Sequence, residues 1–183
     1  VSFIGGSINT LSRGAFGAYA QDGGVISLSA GTQITTAGLQ NATTSEGSHS
    51  LFAVGTGSGI LGSNIVATSS GNLASAVKAQ NGGTVSLTDS QLSTSGASGH
   101  VLHATGTGSQ ITGAAITATS SGSLANAVRV ENGGTVTLTS SQLGTTGAGQ
   151  PMTCYNSLYG GPAQAGEADG PEEFHVVLLD NHR

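Results

Sequence analysis

The sequence predicts an all-β fold, a right-handed single-stranded parallel β-helix with three short strands per coil of about 25 residues and about five or six coils. Three observations predict it. First, Asn81-Gly-Gly-Thr-Val-Ser-Leu-Thr recurs as Asn132-Gly-Gly-Thr-Val-Thr-Leu-Thr, 51 residues on. Second, Gly55-Thr-Gly-Ser-Gly-Ile recurs as Gly106-Thr-Gly-Ser-Gln-Ile at the same offset and interleaves with the first signature, so the repeating unit is two turns. Third, apolar residues alternate with Ser and Thr at period two, as in Thr84-Val-Ser-Leu-Thr88, which puts Val85 and Leu87 inside and the hydroxyls outside.

Taken in chain order, a partial coil near residues 3–21 is followed by coils at 22–54, 55–80, 81–105 and 106–131, and by a partial coil from Asn132 to about Gln150. Coil 22–54 begins with the variant corner Asp22-Gly-Gly-Val-Ile. It is the long one, and its excess falls at Leu39-Gln-Asn-Ala-Thr-Thr-Ser-Glu-Gly-Ser, where added residues loop outward. Coil 81–105 carries Val85 and Leu87, then Leu92, then Val101 and Leu102, one apolar segment per face of a triangular prism; Val136, Leu138 and Leu143 repeat the first two. Glycines at the Asn-Gly-Gly corners permit the positive φ of sharp turns. Stacked about 4.8 Å apart, the coils make a rod roughly 25–30 Å long whose core exists only between neighbours.

Composition narrows the function. The chain has 31 Gly and only 7% charged residues, yet 36% hydrophobic residues at regular spacing, which separates it from a low-complexity linker. Three cations against four carboxylates give −1 before Pro151, and one cation against five gives −4 after it. This balance offers no footprint for nucleic acid. A single cysteine, Cys154, excludes an intramolecular disulfide framework. No apolar run reaches the roughly 20 residues of a membrane span, and the first residues lack a signal peptide's charged n-region, so the chain reads as a piece of a longer one.

Asn81-Gly82-Gly83-Thr84-Val85, Asn132-Gly133-Gly134-Thr135-Val136 and Asp22-Gly23-Gly24-Val25-Ile26 resemble the degenerate repeats of bacterial autotransporter passenger domains, the pertactin-like and self-associating adhesins. The resemblance covers about residues 1–150. It implies a secreted or surface-displayed stalk or adhesin, with an outer-membrane barrel elsewhere in the parent protein. The expected partners are a host-cell or bacterial surface receptor, a glycan or another copy of the chain. No cofactor and no enzymatic activity are expected.

Registering the third strand of each coil aligns Tyr19, Phe52, Lys78, His103 and Arg129 in one outward column, flanked by inward Leu51, Val77, Leu102 and Val128. This aromatic-to-basic strip, exposed on a hydroxyl-covered rod, is the candidate binding surface. Pectin-lyase-like enzymes share the fold, so carbohydrate binding or cleavage is the alternative function. Cleavage needs clustered carboxylates, and Asp22, Glu46, Asp89 and Glu131 occupy different coil positions, so no catalytic residue is assigned. His49 and His100 sit at equivalent positions two coils apart and His103 faces the opposite way from His100; these three read as solvated histidines without a metal. Thr135, Thr137 and Thr139 repeat Thr84, Ser86 and Thr88 and raise an ice-binding solenoid as a minor alternative, interrupted at Ser109 and Gln110.

Residues 151–183 fall outside the repeat and read as a cap, a tail or a fused segment. Gly170-Pro-Glu-Glu-Phe-His-Val-Val-Leu-Leu-Asp-Asn resembles a segment of lactate-utilisation proteins over about 20 residues, from which no activity is carried over. Val176–Leu179 is the stretch suited to pair across the open end of the last coil, and the Gly/Pro/Glu run before it reads as a loop.

Overall fold

A computed structural model describes residues 1–148, 154–156, 161–163 and 176–179. Successive strands of each coil join three different sheets, and within each sheet a strand lies beside its counterpart one coil away. The first sheet stacks Ser2–Ile4, Val25–Ser29, Gly59–Ser63, Thr84–Thr88, Gln110–Ala114 and Thr135–Thr139. The second stacks Ser7–Thr10, Gln33–Thr36, Val66–Ser69, Gln91–Thr94, Thr117–Ser120 and Gln142–Thr145. The third stacks Ala18–Ala20, Leu51–Val54, Val77–Gln80, Leu102–Thr105 and Val128–Glu131, then Cys154–Asn156. Pairing between coils is parallel throughout, which makes the fold a parallel β-solenoid of about six turns.

Register gives the coil lengths. Phe3 pairs with Leu28, Ile26 with Ile60, Ile60 with Val85, Val85 with Ile111 and Ile111 with Val136, steps of 25, 34, 25, 26 and 25 residues. The long step lies between the second and third sheets, where Ile34 and Leu51 are separated by 17 positions against 10 for Leu92 and Leu102. The inserted segment runs over 37–50, and the sequence places the excess within it, at 39–48. It does not simply loop outward, because Gly47, Ser48 and His49 are buried and return to the rod.

The core explains why the repeat is 51 residues and not half of that. At matched positions, one coil supplies Leu51, Ile60, Gly62, Ile65 and Ala67, and the next supplies Val77, Val85, Leu87, Ser90 and Leu92. The following pair of coils repeats the exchange with Leu102, Ile111, Gly113, Ile116 and Ala118, then Val128, Val136, Leu138, Ser141 and Leu143. Large side chains thus alternate with small ones up three of the columns, those of Gly62, Ile65 and Ala67, while Leu or Ile alternates with Val in the other two. A Cβ built on Gly62 would lie 2.6 Å from a Leu87 methyl and 2.9 Å from Ile65, so those side chains fill the space that the glycine leaves. Such interdigitation gives native packing density without strain.

Corners carry the backbone's unusual conformations. Asn81 and Gly82, and again Asn132 and Gly133, have φ between 51° and 89°, as the Asn-Gly-Gly signature requires. Leu73, Ser98 and Leu124 also adopt positive φ, at 58°, 54° and 56°, at one corner between the second and third sheets. Hydrogen bonds from the Leu73 amide to the Ala97 carbonyl and from the Ser98 amide to the Ser123 carbonyl align these residues coil on coil. A leucine gains little there from packing, since Leu124 is 60% exposed. Relief of the left-handed strain outweighs the added unfolded-state entropy of glycine, so Leu124→Gly is expected to raise stability by roughly 0.5–1 kcal/mol. Urea unfolding of the two proteins checks this.

At the far end, Val176–Leu179 runs antiparallel along Thr135–Leu138 and covers that edge of the first sheet, as its sequence suits it to do. Gly161–Ala163 pairs antiparallel with Cys154–Asn156. The Gly/Pro/Glu run expected to be a loop lies outside the described residues.

Candidate functional site

The register sets Tyr19 beside Phe52, Phe52 beside Lys78, Lys78 beside His103 and His103 beside Arg129. Alternation turns their neighbours Leu51, Val77, Leu102 and Val128 into the core, so the five side chains leave the sheet on its outer face. One part of the expectation fails. The column is not an exposed strip: Phe52 is only 4% exposed and Lys78 7%, and His103 and Arg129 are half-buried, leaving Tyr19 at 39% as the most open member. The cover is the inserted loop, whose return through Glu46 and His49 lays side chains over the column.

Two adjoining clusters result. At the N-terminal end Phe16, Tyr19, His49 and Phe52 form an aromatic cluster outside the third sheet, with Phe16 stacked on His49 at 5.9 Å and Tyr19 on Phe52 at 5.3 Å. The Lys78 ammonium sits 5.2 Å from the Phe52 ring centre, within cation–π range. The second cluster is ionic. Lys78 donates to the Glu46 carboxylate, and Glu131 accepts from Arg129 and from His103, the latter at 3.1 Å. Sequence spacing alone does not bring Glu46 and Glu131 onto one face, because Glu46 lies on the return of the inserted loop, whose path over the column the repeat does not give. Both line one groove of about 210 Å³ with Leu73, Lys78, His103 and Arg129.

The histidines are also not solvated. His49 is 1% exposed; its Nδ1 accepts the Ser75 amide at 2.7 Å, so its Nε2–H donates to Glu46, also at 2.7 Å. Burial pushes its pKa down to about 4. His100 is buried in the same register, with the Asn126 amide 3.0 Å from Nδ1 and Arg129 2.9 Å from Nε2. Burial, with the neighbouring His103 and Arg129, takes it down to about 3. Burial works against ionisation of Glu46, but hydrogen bonds from His49 and Lys78 and the lysine charge prevail and hold it at about 2. Glu131 is held at about 2, first by the His103 hydrogen bond and then by Arg129, against burial. Among the described residues no group of three or more His, Cys, Asp or Glu side chains is placed to hold a metal ion.

These shifts all act in one direction. Between pH 6.5 and about 3 the unfolded chain takes up protons that buried His49 and His100 refuse, and from about 4.5 to about 2 it takes up protons that Glu46 and Glu131 refuse. Stability is therefore expected to be flat above about pH 7 and to fall by a few kcal/mol on acidification through this window. His49→Gln should reduce the slope between pH 6.5 and 4, the remainder coming from His100 and from His103, which burial also lowers. Urea midpoints measured across the pH range check both statements.

No family model matches the chain, and no solved structure matches it. Similarity to curated proteins is confined to short stretches. Lactate utilization protein B of Bacillus velezensis is 54% identical over 43 residues, 24% of this chain and 9% of that protein. The same protein of Bacillus licheniformis is 57% identical over 35 residues, 19% of this chain and 7% of its own length. An uncharacterized electron transport protein, YkgF, of Escherichia coli strain K12 is 49% identical over 41 residues, covering 22% of this chain and 9% of that one. The chain thus spans less than a tenth of the length of these relatives, the first of which bear the name of the family that Gly170–Asn181 resembles.

Proposed function

We propose that the chain is a fragment of a secreted or surface-displayed autotransporter passenger, serving as structural stalk and adhesin in cell adhesion or self-association. The observation that carries this reading is a stacked rod presenting chiefly Ser and Thr, on which one row of rings and charges reaches the surface at Tyr19 and at the groove lined by His103 and Arg129. A stacked solenoid gives length and stiffness, and one distinctive row gives a place of contact. The partner is a surface receptor, a glycan or another copy of the chain, and the setting is the bacterial outer surface, with membrane attachment through a barrel elsewhere in the parent protein.

The carbohydrate-cleaving alternative is less well supported, because a glycosidase needs one carboxylic acid kept protonated near neutrality. Glu46 and Glu131 are both held at about 2 and stay ionised. Ice binding also fits poorly, since Gln110 and Ala114 interrupt the hydroxyl columns between Thr84 and Thr135 and between Thr88 and Thr139.

Display of the chain on non-adherent bacteria tests the proposal, with adhesion to epithelial cells and autoaggregation as readouts. Lys78→Ser/His103→Ser/Arg129→Ser is expected to abolish the gain in either. Because that variant also disturbs ion pairs, Tyr19→Ala, at the open end of the row, serves as the structurally mild companion and should weaken contact severalfold. Wild-type display without adhesion or aggregation, or two folded variants that adhere normally, would remove the proposal.

A further inference from the structure

The two interleaved signatures of the sequence meet at one corner of the rod. Asn81-Gly82-Gly83 of one coil lies against Gly106-Thr-Gly-Ser109 of the next, and Asp22-Gly23-Gly24 lies against Gly55-Thr-Gly-Ser58 in the same way. The Gly82 amide donates to Ser109 Oγ at 3.1 Å, and the Gly23 amide donates to Ser58 Oγ at 3.0 Å. Ser109 is buried, and its own hydroxyl donates to the Thr105 carbonyl at 2.7 Å, which turns an oxygen lone pair toward Gly82.

The amide so engaged has chemistry of its own. In an Asn-Gly pair the glycine nitrogen can attack the preceding carboxamide, because no side chain on the glycine hinders the approach. Solvent hydroxide takes the N–H proton, the Gly82 nitrogen bonds to Asn81 Cγ, the Cγ–Nδ2 bond breaks, and ammonia leaves with a proton from water, which regenerates hydroxide. A cyclic imide remains. Water then adds to one of its two carbonyls and opens it to aspartate or to isoaspartate, whose main chain runs through the former side chain. The sum is asparagine plus water giving aspartate or isoaspartate plus ammonia, with no oxidation or reduction. Asn81 is exposed, so water and hydroxide reach it; the stacked coil withholds the N–H.

We propose that Asn81 is a modification site gated by coil stacking: Ser109 holds it unreacted in the closed rod, and opening of this corner converts it to aspartate and isoaspartate. The bond to Ser109 keeps the Gly82 proton from solvent base and fixes the peptide plane. On either side, the Asn81 amide donates to the Thr105 carbonyl and the Gly83 amide to the Gln80 carbonyl, both at 3.0 Å, so the whole corner must loosen before the nitrogen can turn to Asn81 Cγ. The conversion runs one way. A Cβ on Gly82 would lie 2.8 Å from Thr56 Oγ1 and 3.3 Å from the Thr56 backbone, so the corner has no spare room. An isoaspartyl linkage adds one carbon to the main chain there and sets a carboxylate beside it, and such a coil does not restack in register. Each chain thus keeps a chemical record of the opening of this corner. The inference stands apart from the adhesive reading.

The test is ageing of the full 183-residue chain in neutral buffer, folded and in urea, followed by trypsin cleavage and mass spectrometry. Trypsin places Asn81 in the peptide Ala79–Arg129 and Asn132 in the next one, and electron-transfer fragmentation distinguishes isoaspartate from aspartate. Asn81 is expected to deamidate about tenfold or more slowly in the folded rod than in urea. Ser109→Ala should speed the reaction at Asn81 severalfold in the folded protein and quicken hydrogen exchange of the Gly82 amide. It should leave Asn132 at its wild-type rate, because the bond removed belongs to the Asn81 corner. Refolded chains with isoaspartate in place of Asn81 should melt below the Asn81→Asp variant, which has the charge without the added carbon. Equal rates at Asn81 in folded and unfolded chains, an unchanged rate in folded Ser109→Ala, an equal rise at Asn81 and Asn132, or isoaspartyl chains as stable as Asn81→Asp would each overturn the inference.

Discussion

Gly96→Ala is expected to destabilise the rod by about 3 kcal/mol or more and to lower the melting temperature by roughly 6–12 °C. The reason is a column of close approaches at the corner after the second sheet. A Cβ on Gly96 would lie 1.9 Å from the Gly71 carbonyl oxygen one coil below, and a Cβ on Gly122 would lie 2.0 Å from the Gly96 oxygen. Gly71 and Gly147 stand in the same relation to the coils beneath them, at 2.1 Å each. The obstacle is backbone on both sides. No rotamer change relieves it, and the coil spacing itself must open, which strains the ladders of all three sheets. Gly144→Ala is the control: it adds the same methyl group to a strand position whose nearest neighbour, a Thr119 methyl, is 3.7 Å away. Thermal unfolding of the two variants should separate them by most of the predicted shift; equal melting temperatures would show that the corner tolerates a side chain.

Glu46→Gln is expected to cost about 2–3 kcal/mol, roughly 5–10 °C in melting temperature. The substitution nearly preserves shape but leaves the Lys78 ammonium, 7% exposed and against the Phe52 ring, without its counter-charge. Glu46 is itself about one-quarter exposed, so water relieves part of the penalty and keeps it below that of a fully buried pair. Removing both charges, as Glu46→Leu/Lys78→Met, should restore much of the loss, because an apolar pair in this aromatic setting avoids both desolvation costs. A double-mutant cycle in urea measures the coupling, and a double variant as unstable as Glu46→Gln alone would show that the loop's packing, not its charge, is at stake.

The fold was legible in the sequence because a solenoid repeats local rules. Asn81-Gly-Gly and its copy mark corners, period two marks the strands, and the 51-residue offset fixes the register that sets Lys78 beside His103 and Arg129. The site was only half legible. Its column follows from the register, but its cover comes from the insertion at 37–50, whose path over the column the repeat does not give. That is why Glu46 was separated from Glu131, and why Phe52 and Lys78 were expected in solvent. For the histidines the available signal was the pairing of His49 with His100 at one repeat distance. A conserved place in two coils indicates a shared backbone task, here accepting the Ser75 and Asn126 amides.

The alternation of Gly62 with Leu87 and of Gly113 with Leu138 gives the rod a parity. Even and odd coils are not interchangeable bricks, since each is shaped to receive the other kind. Unequal recombination between copies can therefore shorten or lengthen the rod by a pair of coils and leave every junction native. Loss of one coil would set like against like, glycine column on glycine column with Ile65 against Ile116, and leave a seam at that junction. Selection on such a rod acts on even increments of reach, so its length evolves in strides of two coils.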